Sequence, residues 1–395
     1  MGKPPRRILP AIIFSQFTAT SLWFAGNAVL PDLQRLWQLS ADALGYMTSS
    51  VQIGFISGTL VFAVMAISDR FSPRRIFLAC SLAGALCNAS VYLLADGLGS
   101  LMLFRFLTGF FLAGIYPIGM KIAAGWYQQG LGRALGYLVG ALVLGTAFPH
   151  LLASIGKSLP WTGVVVSVSA IAAFGGLLMY ALVPDGPYLR HGAKFDPGAL
   201  RLIFQSRKLR SSAFGYFGHM WELYAFWAFV PVILASHVGT GMVVSINIPL
   251  WAFIIIGVGS IGCAAGGLLA VRFGSARIAS AQLALSGICC LISPLLFAAP
   301  TAAFLVFLVI WGITVAGDSP QFSALNALNA PESLVGSALT IVNCIGFSIT
   351  VVSIQLLSYV AHFIDTRWLF VLLALGPIAG LSAMRPLLAE EARRA

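Results

Sequence analysis

Charge is what this sequence lacks. Of 395 residues only 12 are Asp or Glu and 23 are Lys or Arg, so charged side chains make up 9 % of the chain against 59 % hydrophobic ones. Soluble domains carry about a quarter charged residues. This chain cannot clothe a water-facing surface, and an integral membrane protein with many spans is expected. Cysteine is sparse as well: the six (Cys80, Cys87, Cys263, Cys289, Cys290 and Cys344) all fall inside apolar stretches. None shows metal-ligand spacing in a loop, so neither a disulfide framework nor a metal centre is expected. No glycine-rich phosphate cradle is present, which argues against ATP as the driving force. No nucleophile–base–acid set stands out, so the chain is not read as an enzyme, and no cofactor is expected. The N-terminal MGKPPRR leads straight into a full-length span without a small-residue cleavage site, so no removable signal peptide is expected. The net charge of +11 does not point to nucleic acid, because the basic residues sit in short loops at alternate span ends.

What the chain does have is long apolar runs. Twelve are long enough to cross a hydrocarbon core of roughly 30 Å. The longest interruption, 184–210, falls near the midpoint and carries Arg190, Lys194, Arg201, Arg207, Lys208 and Arg210 against Asp185 and Asp196. Basic loops resist translocation, so this connector is assigned to the cytoplasm. The same rule places every Lys and Arg there except Arg35, Arg105, Lys157 and Arg367. Both termini are then cytoplasmic in a bacterial inner membrane. The expected domains are a first bundle over 1–184, a linker over 185–210 and a second bundle over 211–395. Expected spans include Ile8–Leu30, with a loop at Pro31, Ser211–Ala235, and Trp368–Met384 followed by a short polar tail.

An ionised group in the bilayer core costs about 2.5–3.5 kcal/mol on insertion scales, so each one needs a reason. Glu222 lies near the middle of span 7, with His219 three residues earlier on the same helix face. Desolvation opposes the ionised carboxyl and a nearby imidazolium supports it. Such a balance suits a group that loads and releases a proton; the alternative is a His–Glu pair that only bonds across a helix contact. Asp318 sits in GDSPQ late in span 10, where Pro320 breaks the helix. It reads either as a carboxylate beside a substrate passage or as the N-cap of the restarted helix, and it joins Glu222 and His219 as a proton-coupling candidate. Arg105, inside span 4, reads as a holder of a substrate carboxylate, as the holder of a water and backbone network that couples proton movement to opening, or as a structural tie between spans 1 and 4. Trp23, Asn27, Gln52, Tyr116 and Trp227 are candidates for the lining of a central, mostly apolar cavity, or for packing.

Twelve spans with a basic central connector resemble the major facilitator superfamily. After span 2, SDRFSPRR is similar to that family's cytoplasmic signature: Asp69, Arg70, Arg74 and Arg75 match, while Met65, Ser72 and Pro73 depart from it. The corresponding turn in the second half, GLLAVRFGSAR, keeps Gly267, Leu269, Arg272 and Gly274, with Val271 where the acid would stand. In span 4, Arg105 with Gly109 and Ala113 is similar to the family's span 4 motif. The resemblance implies an all-α membrane fold of twelve transmembrane helices in two six-helix bundles, each built from inverted three-helix repeats. It implies a secondary transporter working by alternating access, with Asp69, Arg70, Arg74, Arg75 and Arg272 as a cytoplasmic gate. Gly136 and Gly145 fit the spacing of the antiporter signature in span 5, but Pro149-His150 stands where Gly-Pro belongs, so symport and antiport stay open. Parts of the sequence are distantly similar to nitrate and nitrite porters. Those carry an arginine in spans 2 and 8, where this chain has Gln52 and no central base, which argues against a small inorganic anion. The expected function is transport of a small organic solute coupled to protons, by a monomer in the bilayer. The alternatives are a small-anion or monocarboxylate porter, or a non-transporting receptor.

Overall fold

Backbone in a bilayer core has no water to bond to, so each long apolar run must satisfy its own N–H and C=O groups as a helix. The computed structural model describes residues 5–127, 131–189, 195–238 and 246–394, apart from the side chains of 157, 392 and 394. Among these residues there are helices and turns and no strand. Twelve helical segments are long and apolar enough to cross a membrane. Spans 1–6 are Ile8–Trp37, Ala43–Val64, Pro73–Leu94, Leu98–Trp126, Leu131–Ala153 and Trp161–Leu182. Spans 7–12 are Arg207–Val238, Ile248–Phe273, Ser275–Leu296, Thr301–Asn329, Glu332–Val360 and Thr366–Glu391.

Contacts divide the chain into two units, Met1–Phe195 and Asp196–Ala395. In the first, span 2 packs on 4, span 3 on 4 and 6, and span 1 on 5 and 6. In the second, span 8 packs on 10, span 9 on 10 and 12, and span 7 on 11 and 12. Adding six to each number of the first set gives the second. The internal repeat therefore lies in the packing, beyond the paired signature turns.

Spans 2 and 4 meet where Gly109 lies on the carbonyl of Val51; spans 8 and 10 meet where Gly312 lies on that of Ile255. A methyl group at either place would overlap a backbone oxygen that cannot swing away. Small residues let two helices approach this closely, and van der Waals contact is what holds them in lipid. Gly109→Ala or Gly312→Ala is expected to cost about 1–3 kcal/mol through overpacking. The unfolding midpoint in detergent should fall accordingly, while Gly132→Ala, with open space around it, should leave it unchanged.

Several spans are interrupted. Span 1 is helical over Ile8–Thr20 and Ala25–Trp37, with turns between. Span 10 is helical over Thr301–Gly317 and Ser319–Asn329. Pro320 has no N–H to give the carbonyl of Ala316, and the Cys263 thiol reaches that oxygen instead, at 3.1 Å. Three expected boundaries need correction. Pro31 does not end span 1: the helix runs on, held by Arg35, which bonds Asp32 at 2.5 Å and the Pro31 carbonyl at 3.3 Å within a single turn. Span 7 begins at Arg207, four residues before Ser211, and the stretch before it contains a short helix, Ala199–Gln205. The polar tail is helical to Arg394, because Glu390 pairs with Lys208 at 2.7 Å and Glu391 accepts from the backbone N–H groups of Ala276 and Arg277. Arg190 and Lys194 of the expected connector lie outside the described residues.

Candidate functional site

In the first unit the terminal nitrogens of the buried base are employed, while its Nε meets no acceptor among the described residues. Arg105 is enclosed by spans 1, 3 and 4. Its Nη1 donates to Asn88 Oδ1 at 3.0 Å, and its Nη2 to the carbonyls of Leu22, at 3.0 Å, and Trp23. Those carbonyls belong to the break in span 1, whose oxygens have lost their helical donors. Asn88 in turn donates to Ser169 Oγ at 2.9 Å and to the Val165 carbonyl at 3.2 Å, which adds span 6 to the tie. These bonds join span 4 to spans 1, 3 and 6, in line with the readings of Arg105 as a tie or as the holder of a backbone network. Asn88 was not singled out from sequence, although an amide amid the apolar residues of span 3 was a usable signal.

The other first-unit candidates are distributed around this tie. Trp23 is buried against Phe55 with ring centres 4.9 Å apart. Asn27 donates to Thr48 Oγ1 at 2.8 Å, joining spans 1 and 2. Gln52 is fully buried, and neither end of its amide meets a partner among the described residues. Tyr116 is partly exposed where span 4 restarts after its own break.

At the signature turn, Asp69 Oδ1 lies 2.7 Å from Lys121 Nζ, and Lys121 also donates to the Ser68 carbonyl at 2.5 Å. Lys121 is a partner the sequence did not single out; it had been counted only as a cytoplasmic charge. Arg74 lies over the Tyr180 ring at 5.2 Å, and Arg70 and Arg75 are exposed. Ser72, which precedes span 3, donates to Asp185 at 2.9 Å. In the second unit Arg272 is exposed over Phe273, and the acid missing at Val271 has a counterpart in Glu391, at the start of span 9. Acids just after span 6 and at the end of span 12 thus reach the starts of spans 3 and 9, Asp185 through the Ser72 hydroxyl and Glu391 through two backbone N–H groups.

The second unit holds the buried acids. Glu222 is enclosed by spans 7, 9 and 10 and accepts three bonds, from Trp311 Nε1 at 2.7 Å, Ser286 Oγ at 2.9 Å and Cys290 Sγ at 3.3 Å. The expected coupling with His219 is corrected. His219 Nδ1 lies 2.8 Å from Asp318 Oδ1, and no contact with Glu222 is made. A spacing of three residues puts both on one side of span 7, but the side chains turn to different heights of span 10: Glu222 to Trp311, His219 to the break about two turns further on. The Asp318 side chain holds no backbone N–H of the restarted helix, so the N-cap bond is not formed. Tyr216 and Phe322 flank the His219 ring at 6.0 and 5.9 Å. Trp227 is fully buried beside Tyr224, at 5.1 Å. Ser286, Cys290 and Trp311 were not identified from sequence, because nothing marks such residues as partners until spans 7, 9 and 10 are brought together.

The sequence model of the Major Facilitator Superfamily matches residues 12–354. The chain belongs to that superfamily. Membership makes it a multi-pass membrane protein of a transporter family rather than an enzyme. An uncharacterized transporter named YgaY from Escherichia coli O157:H7 is 25 % identical over 245 residues, 57 % of this chain and 60 % of that one. Its counterpart from Escherichia coli strain K12 is 27 % identical over 194 residues, 45 % of this chain and 47 % of that one. The matches therefore span about half the length of these relatives. Two solved superfamily structures share the fold. A bacterial homolog to the human lysosomal transporter Spinster, in an inward-facing and unoccupied conformation, aligns with a TM-score of 0.69 at 15 % identity, over 99 % of this chain and 96 % of its own. A point mutant of the nucleoside transporter NupG aligns with a TM-score of 0.72 at 13 % identity, over 96 % of this chain and 99 % of its own. At these identities the likeness concerns the fold alone.

Proposed function

We propose that this superfamily member is a secondary transporter that moves a small organic solute by alternating access, coupled to protons at Glu222. The observation that carries the reading is the shell around that carboxyl. Trp311 Nε1 can only donate, whereas the Ser286 hydroxyl can donate to Glu222 or turn its hydrogen to the Leu283 carbonyl, 3.1 Å away. An ionised Glu222 takes bonds from both. A protonated one keeps the Trp311 bond on one oxygen and donates from the other to Ser286, whose hydrogen then points to Leu283. Both states are satisfied without moving a helix, which a purely structural carboxyl does not need. The titratable groups near it are Asp318, Cys289 and Cys290, with His219 one turn away on its own helix.

Asp69, Lys121 and Asp185 are assigned to a gate that stabilises one access state by joining the ends of spans 2, 4 and 6 to the start of span 3. The protein is placed in a bacterial inner membrane as a monomer with cytoplasmic termini. In the test, purified protein is first screened by thermal shift against a metabolite and drug panel, and the stabilising solute is then followed in proteoliposomes. Counterflow of the labelled solute together with accumulation driven by an imposed pH difference is the expected result. Counterflow without any response to the pH difference would remove the proton, and flux without counterflow would remove the carrier.

A further inference from the structure

The charged groups buried in the spans differ in whether their bonding capacity is filled. Arg105 spends its terminal nitrogens on Asn88 and two carbonyls and Glu222 accepts three bonds, while the half-buried Lys121 spends its ammonium on Asp69 and Ser68. Asp318 is different. It is wholly buried, one oxygen lies beside His219, and Oδ2 meets no donor among the described residues. Two amides stand at the same helix break. Gln282, from span 9, lies against the Cα faces of Gly317 and Gly266, and Gln321, 2 % exposed, also lies against Gly266, beside the Gly317 carbonyl. The Oε1 atoms of both are likewise without a donor among the described residues. Glycine at 266 and 317 is what makes room, since a Cβ at either would land on these amides.

The break thus presents three unfilled oxygen acceptors, one of them on a carboxylate. Buried acceptors left bare cost about 1–3 kcal/mol each, so the arrangement calls for a ligand that brings donors. An anion would be repelled, and an alcohol offers one hydrogen. A protonated primary amine offers three N–H donors and a positive charge, which matches both the number and the sign. With the Arg105 terminal nitrogens occupied, no other arginine or lysine among the described residues is wholly buried to seat a carboxylate, and the histidine at the break, His219, already faces Asp318. We propose that Asp318, Gln282 and Gln321 recognise the ammonium group of the transported solute, so the substrate class is a primary amine. This rests on the reading of the chain as a solute carrier and names what that carrier takes.

The test uses the full-length protein in detergent and matched probes on one carbon skeleton: benzylamine, benzyl alcohol and benzoate, then hexylamine, hexanol and hexanoate, with NaCl against choline chloride as a separate arm. The amines should raise the unfolding midpoint and their alcohols and carboxylates should not. Asp318→Asn should lower the apparent amine affinity at least about tenfold, the loss of one charge-assisted bond. Gly317→Ala, which pushes Gln282 aside and keeps the carboxylate, should lower it by less, and it also reports if Asp318→Asn does not fold. Four results would overturn the assignment: no amine response, an amine response unchanged in both variants, stabilisation by Na⁺ in place of the amines, or stabilisation by the carboxylates or alcohols. In the last case counterflow of the stabilising compound would still support a carrier, of a different substrate class.

Discussion

Glu222→Gln should abolish accumulation of solute driven by a pH difference while leaving solute-for-solute exchange in place. Glutamine has nearly the same shape: its carbonyl accepts from Trp311 where Oε1 of Glu222 does, and its NH2 donates to the Ser286 hydroxyl, whose hydrogen then turns to the Leu283 carbonyl. Packing among spans 7, 9 and 10 is therefore kept, and the access change that exchange requires should proceed. What glutamine cannot do is gain or lose a proton. Accumulation in proteoliposomes should fall to the equilibrium distribution, and counterflow should stay near the wild-type rate. Trp311→Phe tests the same shell from the donor side. It keeps the ring stacked on Phe226, 4.5 Å away, and removes the obligate donor to Glu222, so the pH dependence of transport should move while the fold stands.

Arg105→Ala should produce the largest loss of stability of any single substitution in the first unit. It strips the donors from the Leu22 and Trp23 carbonyls and from Asn88 at once, in a place where no water reaches. Each stranded group costs about 1–3 kcal/mol. Arg105→Lys should recover only part, because an ammonium is a point donor and cannot span the fork that the guanidinium fills. The measurement is the unfolding midpoint in detergent alongside solute affinity. A tie of span 1 to spans 3, 4 and 6 predicts a low midpoint in both variants with affinity little changed in the surviving protein. A substrate-holding arginine predicts the reverse: a near-normal midpoint and a large loss of affinity in Arg105→Lys.

The fold was legible because lipid leaves the chain so little choice. Apolar runs of sufficient length must be helices. Two of the places where reading failed share a cause: a helix ended or continued for reasons supplied by a distant residue. Nothing between Ser21 and Phe24 is a proline or glycine, yet span 1 breaks there. The hydroxyls of Thr20 and Ser21 bond back to the Gln16 and Thr18 carbonyls, and Arg105 takes up the oxygens the break releases. Likewise the polar tail continues as a helix because Glu391 meets the start of span 9, more than a hundred positions earlier.

Within the candidate site the residue types were legible and the pairings were not. Glu222, His219, Asp318 and Arg105 announced themselves as charge or titratable polarity amid hydrocarbon. That His219 serves Asp318, that Glu222 rests on Trp311, and that Lys121 serves Asp69 depend on the register between spans. Sequence spacing within one helix fixes only which side a residue occupies. The twin glutamines at 282 and 321 were invisible for the same reason, since each alone is an ordinary amide on a helix.

Proton coupling at Glu222 requires one carboxyl to change its protonation inside a bundle of apolar helices, and infrared difference spectroscopy reads that event without knowing the solute. Purified protein would be stepped across a range of pH while the carbonyl stretch of protonated carboxyl groups is recorded, for wild type, Glu222→Gln and Asp318→Asn. A band that appears and disappears with pH in wild type and in Asp318→Asn, and is missing in Glu222→Gln, is the predicted result. The same band persisting in Glu222→Gln would contradict it and move proton coupling away from span 7.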